Sequence, residues 1–115
     1  MARSFRFLYR NEKGTARKNI NIGNALSVMS KDSAVIVTAA QFMPHEGMEF
    51  PGPFKTQGRP LLGAANVYVT NVGPHGGDGG EAGGVEFLLH TDWGDPLDVE
   101  VTVTVLEPVE SFTKF

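Results

Sequence analysis

The chain contains no cysteine in 115 residues, which excludes disulfides, thiolate metal sites and a cysteine nucleophile. It contains no apolar run approaching the roughly 20 residues that cross a bilayer as a helix. Its opening segment, MARSFRFLYRN, is basic and aromatic and lacks the continuous apolar core of a secretory signal. There is no basic excess either: 10 Lys and Arg stand against 13 Asp and Glu, a formal net charge of −3. A dedicated nucleic-acid binder carries the opposite balance. Apolar residues at helical spacing are scarce along the chain, so no amphipathic helix is expected. Gly-x-Ser-x-Gly and HExxH are missing too, which leaves Ser4, Ser27, Ser30, Ser33 and Ser111 without a local base or oxyanion nest. These absences lead us to expect a non-enzymatic protein that is cytoplasmic, or released without a signal peptide.

What is present reads with a period of two. Apolar residues make up 41% and charged residues 20%, the balance of a globular protein, and the length suits one domain over residues 1–115. Val99, Val101, Val103 and Val105 alternate with Glu100, Thr102 and Thr104, predicting a strand with one buried and one wet face. Val85, Phe87 and Leu89 alternate with Glu86, Leu88 and His90, and Phe5, Phe7 and Tyr9 alternate with Arg6, Leu8 and Arg10. Ser33 to Phe42 is almost all apolar or small and reads as a strand covered on both sides. Ala65 to Val72 and Lys18 to Ile22 complete six candidates, with Leu26 to Met29 a seventh. Turn formers separate them: Glu12-Lys13-Gly14, Gly23-Asn24, Lys31-Asp32 and Gly94-Asp95-Pro96. The fold class expected is therefore all-β, an antiparallel β-sandwich of six to eight strands, jelly-roll or Ig-like, with a small barrel as second choice. Two stretches read as loops: the Pro/Gly-rich Met43 to Ala64 and the glycine-rich Gly73 to Gly84.

Charge is segregated along the chain. Arg3, Arg6, Arg10, Lys13, Arg17 and Lys18 crowd the start against Glu12 alone, whereas Asp78 to Glu110 carries carboxylates and no Lys or Arg. Internally, this means the first and last strands are neighbours whose charges pair across the ladder. Externally, it means Arg6, Arg10, Arg17 and Lys18 form an interface with the acidic end of another copy.

Candidate binding chemistry centres on His90-Thr-Asp92-Trp93-Gly94-Asp95-Pro96-Leu97-Asp98. Asp92, Asp95 and Asp98 supply oxygen ligands of the kind Ca²⁺ takes, although the EF-hand spacing is absent and Asp-Pro is also ordinary turn chemistry. Trp93 reads either as a core plug or, with Asp92 and Asp95, as a sugar-stacking ligand-binding residue. His45, His75 and His90 form a set only if the fold gathers them. The glycine loop from Gly76 feeds a strand rather than a helix and holds no lysine, which disfavours a phosphate loop; it also resembles a single calcium nonapeptide, a motif that works only in stacked copies. The alternating Phe5-Arg6-Phe7-Leu8-Tyr9-Arg10 has the look of a nucleic-acid surface, which the overall acidity opposes. The expected function is a non-enzymatic subunit acting by self-association or attachment to a larger assembly, with no cofactor. The alternative is a lectin-like carbohydrate-binding domain, Ca²⁺-dependent if the aspartates gather; a small hydrolase using Asp92 and Asp95 ranks third. Neither nucleic acid nor membrane is an expected partner.

Overall fold

The computed structural model describes residues 2–21, 29–44 and 58–115. The fold is all-β, with no helix among the described residues and seven strands. These are β1 (Arg3–Glu12), β2 (Gly14–Asn21), β3 (Ser33–Pro44), β4 (Gly58–Leu61), β5 (Asn66–His75), β6 (Gly84–Asp92) and β7 (Leu97–Pro108). They form two antiparallel sheets, ordered β1-β7-β3-β4 and β2-β6-β5.

The register shows how the two sheets are related. β1 pairs with β7 from Arg3↔Val105 to Glu12↔Leu97, and β2 pairs with β6 from Gly14↔Thr91 to Asn21↔Gly84. Only Lys13 separates β1 from β2, and Trp93 to Pro96 separates β6 from β7. Each pair is thus one long strand crossing from sheet to sheet, and the two crossings lie side by side. Strands that switch sheets do so through bends or bulges. Here Asn11 and Gly14 take positive φ values of 56° and 71° at the crossing. The expected turns at Glu12–Gly14 and Gly94–Pro96 are therefore corners at which the chain keeps its sense, not hairpin reversals.

Period-two patterning places the core. Val99, Val101, Val103 and Val105 of β7 join Val85, Phe87 and Leu89 of β6, Ile20 of β2 and Met29 in one buried cluster. Phe5, Phe7 and Tyr9 from β1 and Val35, Val37 and Ala39 from β3 pack against it. Each fully buried Val, Leu or Phe side chain contributes about 1.5–3 kcal/mol relative to exposure.

Three expectations are corrected. β3 is not covered on both sides: Ile36 is 51% exposed and Thr38 is exposed as well. The Pro/Gly-rich stretch contains β4, which pairs with Gln41 to Pro44 and extends the sheet. The Gly73–Gly84 stretch is partly strand, because Gly73, Pro74 and His75 continue β5 opposite Glu86, Val85 and Gly84. The expected strand Leu26 to Met29 falls outside the described residues except at Met29, which is buried and not in a strand.

Candidate functional site

The outward face of the β2-β6-β5 sheet carries an ordered cluster of polar and aromatic side chains. Alternation turns Val85, Phe87, Leu89 and Thr91 inward and leaves Glu86, Leu88, His90 and Asp92 on the opposite face. The registers then set Thr15, His90 and Tyr68 in one row across the three strands. His90 hydrogen-bonds through Nδ1 with the Thr15 hydroxyl at 2.9 Å and through Nε2 with the Thr70 hydroxyl at 2.7 Å. The Tyr68 ring stacks on the imidazole with centroids 4.5 Å apart and planes 10° from parallel. Both ring nitrogens are occupied, so the imidazole is fixed and holds Tyr68 in turn. Beside them Lys13, Thr15, Tyr68, His90, Asp92 and Trp93 line an open depression of about 260 Å³. Trp93 and Tyr68 are 45% and 46% exposed. Trp93 stands at the corner between β6 and β7, so it is not a core plug.

The remaining candidate residues are dispersed. Asp92 lines the depression, whereas Asp98 accepts a hydrogen bond from the Asn11 backbone N–H at 3.1 Å. Asp92, Asp95 and Asp98 do not form a metal-holding cluster, and no such cluster occurs among the described residues. His75 lies opposite Gly84 at the far end of the sheet from His90, and His45 lies outside the described residues. His75 is held by the Ala82 carbonyl at 3.1 Å and the Asn19 side-chain amide at 3.0 Å.

The basic N-terminal strands meet their carboxylates within the chain. Arg6 sits 3.1 Å from Glu100 and donates to the Thr102 hydroxyl at 3.1 Å; Arg17 lies 2.8 Å from Glu86. Lys18 pairs with Glu12 and caps the Tyr9 ring at 4.6 Å from its centroid. Lys31 bonds Asp78 at 2.7 Å, and this hydrogen bond, with the charge behind it, raises the lysine pKa above its usual value. Of the four expected interface residues, only Arg10 has no ion pair among the described residues. Two of these contacts, Arg6–Glu100 and Arg17–Glu86, join the basic start to the acidic end across the β1–β7 and β2–β6 ladders.

A second exposed feature follows β7. The Val109 N–H donates to the Asp32 carbonyl at 2.9 Å, and beyond it residues 110–115 are exposed and without regular structure. Phe112 is 91% exposed and Phe115 fully so, with Val109 and Leu106 also exposed. Sequence reasoning missed this arm because it carries no motif; two phenylalanines beyond the last period-two pair were the only signal. It missed Tyr68 and Thr15 because their meeting with His90 depends on strand register, which local pattern does not specify. Compared with family models, curated proteins and solved structures, the chain matches none of them.

Proposed function

We propose that this chain is a non-enzymatic β-sandwich subunit that associates with further copies of itself through the arm following β7. The observation that carries this reading is the pair of phenylalanines, Phe112 and Phe115, held almost wholly in solvent. Burying each stabilises an interface by about 1.5–3 kcal/mol before ordering costs. Large exposed apolar side chains concentrated in one short segment point to a contact surface.

An acceptor of matching form lies on the same molecule. β1 is an edge strand of ten residues whose register shift lies near the corner, between Tyr9 and Glu12, and whose pairing from Arg3 to Tyr9 is regular. The opposite edges are blunted: β4 has four residues including Pro60, and β5 is interrupted by a register shift between Thr70 and Gly73 and by Pro74. Short strands, prolines and irregularities are how proteins protect an edge. Extended segments add to unprotected edges through main-chain hydrogen bonds, with side chains setting specificity. Two β1 edges pairing with each other bring together the Arg3, Arg6 and Arg10 side chains of both copies, which like-charge repulsion opposes. An arm carrying one carboxylate, Glu110, and one ammonium, Lys114, escapes this repulsion, and Arg10 has no ion pair among the described residues.

Light scattering tests this on the native chain and on a Phe112→Ser, Phe115→Ser double variant. The native chain is expected to exceed its monomer mass of 12.4 kDa, and the double variant to return to it with an unchanged melting temperature. A native chain that stays monomeric at high concentration contradicts the proposal, as does a variant that assembles equally well.

A further inference from the structure

The outward face of the β2-β6-β5 sheet remains unused by the association proposed above. We infer that it binds a neutral, extended oligosaccharide chain lying along β6, anchored at the Tyr68–Trp93 end.

The anchor is a built platform. An exposed tyrosine ordinarily samples several rotamers, and ordering it on binding costs affinity. Tyr68 is already ordered by its stack on His90, which Thr15 and Thr70 fix at both nitrogens. The stack covers the face of Tyr68 turned to His90 and leaves the residue 46% exposed; Trp93, at the corner, is 45% exposed, and the depression beside them also offers Asp92, Lys13 and Thr15 as hydrogen-bonding groups. Aromatic faces against sugar C–H groups, with planar polar side chains against hydroxyls, are the two contacts a pyranose makes.

The extension beyond one sugar comes from the rest of the face. A second depression of 250 Å³ lies at Arg17, Asn71 and Leu88, and a third of 190 Å³ at Asn19, Asn21, His75 and Glu81. Glu86 borders both. The three follow β6 from His90 through Leu88 to Glu86, along a nine-residue strand about 27 Å long. A run of similar, open sites along one strand suits a chain of repeating units.

Charge decides the class of chain. Asp92, Glu86 and Glu81 face the ligand alongside Lys13 and Arg17, and Arg17 is already paired with Glu86. With Glu86 paired to Arg17, Asp92 and Glu81 stand against Lys13, and the face has no positive excess to attract a polyanion such as a nucleic acid or a sulfated glycan. A proline-rich peptide requires successive apolar or aromatic slots, and beyond the Tyr68–Trp93 end Leu88 is the only apolar side chain on this face of β6. A row of sites along one extended strand favours an extended linkage over a helical one.

Calorimetric titration of the full chain with cello-oligosaccharides of increasing length tests this, with malto-oligosaccharides, heparin fragments and a proline-rich peptide as competitors. Trp93 is the sole tryptophan and reports occupancy of the anchor by its fluorescence. Affinity is expected to rise at least tenfold from the dimer to the hexamer, with a blue shift of Trp93 emission. Tyr68→Ala is expected to lose at least tenfold for every length, and Asn19→Ala with Asn21→Ala to weaken only the longer chains. No cello-oligosaccharide binding, affinity independent of length, or preference for any of the three competitors overturns the inference. Mass measured on the Tyr68→Ala variant separates this outcome from the association, which it leaves unchanged.

Discussion

Tyr9 sits at the rim of the core, its ring under the Lys18 ammonium and its hydroxyl near Glu12. Burial, and after it the Glu12 carboxylate, hold its phenol above the ordinary value of 10.0. The folded chain therefore keeps this proton when the unfolded chain has lost it. The stability linked to Tyr9 is complete below pH 10 and drains away as pH rises through and beyond it. Urea midpoints across this range should fall more steeply for the native chain than for Tyr9→Phe; parallel curves contradict the assignment. Glu100 poses a different residue-scale question, for it faces outward on the central strand β7 yet is only 7% exposed, with Oε2 buried and unbonded. Arg6 is its ionic partner. Arg6→Met should cost about 1–3 kcal/mol by leaving a buried carboxylate uncompensated, read as a lower melting temperature. The charge segregation was legible in the sequence. Which charges meet was not, since that depends on the β1–β7 register.

At the scale of elements, the alternating valines declare their faces from sequence alone, and the structure places them as the pattern requires. Val101→Asp puts a carboxylate into the core, a cost of several kcal/mol against a typical total stability of 5–15 kcal/mol. That variant should fail to fold, whereas Ile36→Asp on the open face of β3 should fold normally; circular dichroism of both decides the matter. Gly84 is a sharper case. A Cβ there meets the Ile20 carbonyl oxygen and, at 2.8 Å, Cε1 of His75. Gly84→Ala should therefore push β2 from β6 and destabilise by about 1–3 kcal/mol, with the loss of amide protection confined first to Gly14–Asn21. The sequence shows this glycine only as one of a loop-like run. Its packing role arises because the run ends inside a strand, and glycine spacing does not reveal where a strand begins. The corners were misread for a related reason: turn chemistry marks a change of direction and does not distinguish a reversal from a bend between sheets.

For the molecule as a whole, association through the Phe112–Phe115 arm rests on apolar contact rather than attraction between basic and acidic ends. Assembly mass should then persist as the Debye length falls from about 10 Å at 0.1 M salt to about 3 Å at 1 M. Repetition of the β6 face around such an assembly raises the avidity for a long chain without any new contact. The period-two pattern made the all-β class legible, but the arm and the open edge were not, because exposure and edge position are properties of the folded topology. The most direct measurement is hydrogen exchange of the β1 backbone amides at low and high protein concentration. If arms add to this edge, protection across Arg3–Glu12 rises with concentration in the native chain and stays low in the Phe112→Ser, Phe115→Ser variant. Exchange that is equally fast at both concentrations, or equally protected in the variant, contradicts the account.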